Sequence, residues 1–258
     1  TIGLAGENLV RFANIRTGLK NSGGRTGIGA VMGSKNLKAI AVRGTMDLQI
    51  KHPQKALEYY WKLQRQILGS KAAKAYGSEG TMTMYSTSNT TGFLRTKNWG
   101  LNRMEDLSIV PDTFLEKYSF GVQACYGCGL HCRHRWQIKE GPYKGLLGEG
   151  PEYNTCISFG NMVYNRSWEA LLRAQWLVDK YGLDVTELAD LLAGVMDMYN
   201  RGIITKEDTF GLDLDWENAS EILPLVIEQT AKREGLGAVL ADGCLPAIEH
   251  FGRGAEHY

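Results

Sequence analysis

Cys125, Cys128 and Cys132 form a C-x2-C-x3-C group within one short stretch, and nothing else in the chain concentrates so much chemistry. Gly127 and Gly129 alternate with them, and a residue without Cβ lets the backbone wrap closely around whatever the thiolates hold. Soft thiolates at this spacing can converge on a single centre. Structural zinc usually draws on two separate pairs of ligands, whereas here there is one compact group, with His131 or His134 as a neighbouring fourth donor. An iron–sulfur cluster takes clustered cysteines plus a distant one, so the pattern favours a cluster over zinc and disfavours a metal-free loop most. The reverse order, C-x3-C-x2-C, typical of radical chemistry on S-adenosylmethionine, is not the order here. Of the remaining cysteines, Cys244 opens an amphipathic pattern and reads as a small buried hydrophobe. Cys156 follows Gly150, Pro151, Glu152 and Tyr153 and has three readings of equal weight: cluster ligand, ligand of a second metal, or core residue. The fourth cluster ligand is expected beyond residue 258.

The loop from Gly23 to Lys35 is the second concentration of chemistry. Its glycines allow backbone N–H groups to approach a phosphate, with Arg25 and Lys35 to supply charge. It fits neither G-x-x-x-x-G-K-[ST] nor G-x-G-x-x-G, so neither a P-loop nor a dinucleotide fold is supported, and composition alone favours a structural turn into a strand.

The elements that must position these residues follow from periodicity and punctuation. Residues 1–46 read as Gly-rich loops around a short buried strand from Leu37 to Arg43. Pro53 starts a helix with Leu57, Tyr60, Trp61, Leu63 and Ile67 at helical spacing. Further helical patterns run over Ser167–Lys180, Val185–Tyr199, Ala219–Arg233 and Ala238–Phe251, several closed by glycine at 182, 202, 235 and 252. Between 76 and 165 the chain reads as irregular, with a short hairpin from Trp136 to Leu147, and an irregular stretch of that length is usually functional. The fold class is α+β: a short N-terminal β and loop segment, then a mainly helical domain with a cysteine-rich loop.

With 258 residues, 43% hydrophobic and 22% charged, the chain has the composition of a globular protein rather than a disordered one. Twenty-nine Lys and Arg against 28 Asp and Glu leave no basic excess for nucleic acid, so none is expected as a partner. No apolar run is long enough for a membrane span, and a cytoplasmic location is expected. Thr1 is not an initiator Met, and a piece of a longer polypeptide is expected.

The run Gly24–Gly44, then Ala124–Cys132, then Gly150–Tyr153, then Asp179–Asp184 resembles, in order, the motifs of the aldehyde:ferredoxin oxidoreductase family of tungsten and molybdenum enzymes. Ala5–Phe12 and the Asn98-Trp99 pair fit as well. The resemblance implies a β-rich N-terminal domain and two mainly helical domains enclosing tungsten or molybdenum, held by the dithiolenes of two pyranopterins, with a [4Fe-4S] cluster beside one of them. On that view residues 1–46 end the N-terminal pterin-binding domain, and 47–258 are the mainly helical middle domain.

By the same resemblance Cys125, Cys128 and Cys132 match three cluster ligands. Asp179, Gly182, Leu183 and Asp184 match the pterin-contact turn. Arg25, Gly27, Gly29 and Ala30 lie in the segment near the pterin phosphates and their bridging Mg²⁺. Glu152 matches a carboxylate near the metal, with Glu149 its competitor. The chain departs from the family's aldehyde oxidisers at Gly129, where proline is common, and at Cys156, near a position commonly apolar. Cys156 there resembles the tungsten-ligating cysteine of the class II benzoyl-coenzyme A reductases, for which His131 and His134 are candidate proton donors, although a supporting or surface role is favoured for both.

The resemblance implies an aldehyde oxidiser that passes electrons through the cluster to ferredoxin or an iron–sulfur partner subunit, within an oligomer. The alternative is an aromatic acyl-CoA reductase, which requires Cys156 on the metal. A non-catalytic iron–sulfur module would use only the three-cysteine group and leaves the Gly24–Lys35 loop and the Asp179–Asp184 turn without a role.

Overall fold

The computed structural model describes residues 1–106 and 108–258. The chain opens with a short helix α1 (Leu4–Glu7), an antiparallel hairpin of β1 (Ile15–Thr17) and β2 (Asn21–Gly23), and helix α2 (Ile28–Ser34). Helices α3 (Pro53–Leu68), α4 (Lys71–Glu79), α5 (Met84–Thr91) and α6 (Pro111–Lys117) follow. Strands β3 (Ser119–Gln123), β4 (Arg133–Gln137) and β5 (Leu147–Glu149) form an antiparallel sheet in that order. The cysteine loop is the β3–β4 connection. Helix α7 (Tyr153–Cys156) runs into a buried π-helical turn, Ile157–Met162, and the chain ends in α8 (Trp168–Tyr181), α9 (Val185–Asn200), α10 (Ala219–Lys232), α11 (Gly235–Leu240) and α12 (Cys244–Phe251). About half of the chain is helical and little of it is strand, which is the α+β, mainly helical class expected.

The core sits among α8, α9, α10 and the π-helical turn. Leu171, Leu172, Leu177 and Val178 of α8, with Leu188, Leu192 and Met196 of α9, are fully enclosed. Trp136 and Ile138 carry the sheet into this core, and Phe114 of α6 packs on Trp168 at 5.2 Å between ring centroids. Caps define the boundaries that matter for the site. Ser167 accepts from Ala170 N at the start of α8, Gly182 ends that helix at φ 74°, and Asp184 starts α9 by accepting from Thr186 N and Glu187 N. Only Gly182, Leu183 and Asp184 separate the two helices, so the motif turn is rigidly placed.

Several sequence expectations are corrected. The loop from Gly23 to Lys35 contains α2, whose Gly29 and Gly33 fall on one helical face. A Cβ at Gly29 would stand 2.6 Å from Asn14 O, and one at Gly33 1.8 Å from Gly6 O, so these glycines permit backbone contact within the protein. Residues 37–43 are neither strand nor buried. Val42 is 89% exposed, because no described strand lies alongside to satisfy a ladder there. The pattern from Ala238 to Phe251 is two helices, broken at Gly243 (φ 88°), and Gly235 begins α11 instead of closing α10. The 76–165 stretch is more regular than its composition suggests, since the end of α4 and all of α5, α6 and β3 lie within it. The hairpin from Trp136 is present, pairing Trp136 with Gly148.

Candidate cofactor site

The N-terminal segment is stitched to the α8–α9 turn by backbone. Asn14 N donates to Gly182 O at 2.8 Å, Asp184 N donates to Phe12 O at 3.1 Å, and Asn14 Nδ2 donates to Leu183 O at 2.8 Å. This seam carries the β1–β2 hairpin, and with it Arg16 and Lys20, across the turn. Arg16 pairs with Asp179 Oδ1 at 2.6 Å. Burial pushes the Asp179 carboxyl up to about 6, against the opposing pull of Arg16 and Lys20. Lys20 at the hairpin end pairs with Glu152 Oε1, while Thr81 Oγ1 donates to Glu152 Oε2 and accepts from Tyr153 N. Burial, and then Arg133, lower the Lys20 ammonium to about 8, while the thiols of Cys132 and Cys125 and the carboxylate of Asp179 pull the other way. One cation therefore pairs with the candidate catalytic carboxylate and lies close enough to Asp179 and to the cysteine loop for their charges to act on it.

The competitor Glu149 is used elsewhere. It is buried and holds Arg133 Nη1 at 3.0 Å, behind the cysteine loop. Glu152, at the N-cap of α7, is the more open of the two carboxylates and the one opposite Lys20.

The cysteine loop keeps all three thiols free. Cys128 N donates to Cys125 O at 3.0 Å in a tight turn, and Gly127 takes φ 72°, where an L side chain is strained. Cys125 and Cys128 are exposed and Cys132 is partly covered. Among the described residues no three His, Cys, Asp or Glu side chains are gathered as metal ligands. The donor set nevertheless suits an iron–sulfur cluster: three free thiols stand in one loop, with the Arg133 guanidinium 3.9 Å from Cys125 Sγ. Of the two histidines, His131 is exposed, and His134 is buried with Nδ1 3.1 Å from Ser119 Oγ and its imidazolium disfavoured by burial.

Residues 25–27 all take positive φ, near 57°, 59° and 69°, which directs the Arg25 side chain back toward the turn. Its Nη1 lies 3.3 Å from Asp184 Oδ1. With Arg11, Thr26, Gly27 and Glu187 this pair lines a cavity of about 190 Å³. Gly29 and Ala30 lie one turn further on and are used in packing. Lys35, at the far end of α2, is exposed and away from the cavity. Around Asp179, the buried Asn14 Oδ1, Arg16 Nε and Gln175 Oε1 have no partner among the described residues. Unpaired buried polar atoms are costly, and a flat heterocycle with several donors and acceptors would satisfy them, so the turn fits a pterin.

Cys156 is apart from these groups. It ends α7 within the apolar core, 1% exposed, and burial raises its thiol far above the usual range. Cys244, expected to be buried, is exposed at the start of α12 and lines a separate cavity with Met198 and Ile248. The sequence reading missed Arg16, Lys20, Thr81 and Arg133. Arg133, directly after Cys132, was the one with a local signal.

Asp184 has a helix-capping role and an Arg25 contact, and two substitutions separate them. Asp184→Ala should cost about 1 kcal/mol through the lost cap. Asp184→Asn keeps the cap and should leave the melting temperature unchanged while lowering cofactor content. Full cofactor content in the Asn variant would leave Asp184 a cap alone.

Residues 58–258 match the family model described as aldehyde ferredoxin oxidoreductase, domains 2 and 3, and residues 1–44 match the model of that family's N-terminal domain. The chain is 33% identical over 254 residues to the aliphatic sulfonate oxidoreductase WOR-like subunit of Pyrococcus furiosus, covering 94% of this chain and 38% of that protein. It is 32% identical over 267 residues to the tungsten-containing aldehyde ferredoxin oxidoreductase of Pyrococcus abyssi, covering 100% of this chain and 42% of that one. Among solved structures it resembles the active-site complex BamBC of benzoyl coenzyme A reductase in complex with 1,5-dienoyl-CoA, with a TM-score of 0.76 and 26% identity, covering 100% of this chain and 40% of that one. The chain thus spans about two-fifths of the length of these relatives. By the two family models, which together take in the cysteine loop, the Gly24–Lys35 segment and the Asp179–Asp184 turn, the chain belongs to the aldehyde ferredoxin oxidoreductase family.

Proposed function

We propose that the chain is part of a cytoplasmic tungsten or molybdenum pterin enzyme that oxidises an aldehyde to a carboxylic acid. Aldehyde and water yield acid, two protons and two electrons, and the electrons leave singly through a [4Fe-4S] cluster to ferredoxin or an iron–sulfur subunit. When bound, the metal–pterin group supplies the two-electron redox chemistry, and this chain's residues position it and handle protons. Asp179, Leu183 and Asp184 would hold a pterin ring, Arg25 and the Gly27 backbone its phosphate end with Mg²⁺, and Cys125, Cys128 and Cys132 three corners of the cluster. Glu152 would accept the proton released from water, and Lys20, whose lowered pKa of about 8 lets it first shed its own proton to solvent and then take one from Glu152, would relay it outward.

The observation that carries this reading is the β1–β2 hairpin, which docks on the motif turn through Arg16 and Asp179 and at its end pairs Lys20 with Glu152. Likeness to the BamBC complex favours a second reading, reduction of an aromatic acyl-CoA, which needs Cys156 on the metal. Burial of Cys156 among apolar side chains supports the aldehyde reading instead. X-ray absorption at the metal edge, with and without Cys156→Ala, is the test. An unchanged number of sulfur neighbours together with aldehyde-dependent dye reduction is expected. Loss of one sulfur neighbour would overturn the reading in favour of the aromatic reductase, and a protein carrying iron but neither tungsten nor molybdenum would leave only an electron-transfer module.

A further inference from the structure

Arg133 immediately follows the third cysteine and is one of the few buried cations in the protein. Its guanidinium is fixed from several sides. Nη1 meets Glu149 Oε2 at 3.0 Å and Asn21 Oδ1 at 3.1 Å, while Nη2 donates to Ala124 O at 3.3 Å and to Cys125 Sγ at 3.9 Å. The same side chain thus ties the β1–β2 hairpin, the start of the cysteine loop and the β5 end together. It takes no proton in the handling assigned to Glu152, where it acts only through its charge on Lys20.

A buried cation is costly unless paired, and the Glu149 carboxylate removes most of its net charge. What remains toward the loop is a directed N–H aimed at a sulfur. Hydrogen bonds to cluster sulfurs, together with net charge and solvent exposure, set the reduction potential of an iron–sulfur centre. A donor at a cysteine sulfur stabilises the reduced cluster, which carries one more negative charge than the oxidised one, and so raises the potential.

We propose that Arg133 is a positioning residue that sets the reduction potential of the cluster by donating to Cys125 Sγ, with Glu149 and Asn21 holding it in place. The inference rests on the cluster reading above and adds to it a specific donor. Arginine suits the task because its planar fork serves Glu149, Ala124 O and the sulfur from one rigid group, which a lysine ammonium cannot do at fixed geometry.

The test is an EPR-monitored redox titration of the full-length holoenzyme and its variants. Arg133→Gln should shift the reduced-to-oxidised ratio at a given potential about tenfold toward oxidised, a drop of about 59 mV for a one-electron couple. Arg133→Lys, keeping the charge and one donor, should recover part of the shift. Arg133→Gln combined with Glu149→Gln leaves no unpaired buried carboxylate and should show the same drop with iron content retained. An unmoved midpoint in that double variant overturns the inference while leaving the cluster reading intact. In the native enzyme labelled with guanidinium-¹⁵N arginine, pulsed EPR of the reduced cluster should show a weak ¹⁵N coupling, and its absence overturns the inference without recourse to any variant. A native enzyme with no iron–sulfur signal would overturn the cluster reading itself and this inference with it.

Discussion

In the full-length enzyme, Cys128→Ser is expected to abolish the broad visible absorbance of the cluster and to strip iron and acid-labile sulfide. The serine hydroxyl is a harder donor that stays protonated near neutral pH, so it is a poor substitute for thiolate on iron. The fold should be little affected. Cys128 is exposed, and its Sγ makes a weak hydrogen bond to Leu130 O at 3.6 Å. Exposed positions of that kind usually change stability by no more than about 0.5 kcal/mol. Iron content and melting temperature therefore separate the two roles: iron lost with melting unchanged supports the ligand assignment, and full iron and sulfide content in the variant would sink it.

Glu152→Gln should lower kcat by about 10²- to 10⁴-fold, the usual contribution of a positioned general acid or base. The amide still offers Thr81 an acceptor, but it cannot take a proton and no longer pairs with Lys20. Metal and iron content should stay at the native level, so the loss would appear in kcat per metal site. The neighbouring Glu149→Gln should behave differently. It breaks a buried ion pair with Arg133, and leaving one partner uncompensated typically costs about 3 kcal/mol or more, so its main effect should be on stability. If Glu149→Gln lost turnover and Glu152→Gln did not, the assignment of the catalytic carboxylate would be reversed.

What the sequence by itself determined is what short-range spacing encodes. The cysteine spacing identifies a soft-metal loop, because all three donors lie within reach of one centre whatever the rest of the chain does. Apolar periodicity with caps located α8, α9 and α10 to within a residue or so, since a helix is a local structure whose buried face repeats every three to four residues, and it located α3 as well, although the apolar residues of that helix are exposed. Gly182 was legible as a helix end for the same reason, and its φ of 74° agrees. Periodicity misled at Ala238–Phe251, where Gly243 at φ 88° turns the chain between two short helices.

Only the tertiary structure decided which charges meet. Arg16 with Asp179, Lys20 with Glu152 and Arg25 with Asp184 join residues more than a hundred positions apart, and no local pattern records such pairs. The choice between Glu149 and Glu152 was open in sequence because both lie in one glycine-rich stretch. The β4–β5 register put the first onto Arg133, and the start of α7 left the second facing Lys20. Cys156 is likewise adjacent to the motif in sequence yet enclosed in the core, because α7 runs directly from the open Glu152 at its N-cap into the fully buried Ile157–Met162 turn. The glycines of the Gly24–Lys35 segment carry meanings that only packing shows: Gly27, Gly29 and Gly33 all let the segment press against the backbone of residues 6–14, and Gly27 also borders the cavity beside Asp184. Local spacing specifies donors and helices because their energetics are settled within a few residues. The site is settled by long-range backbone pairing between residues 12–14 and 182–184, which exists only once the core has closed.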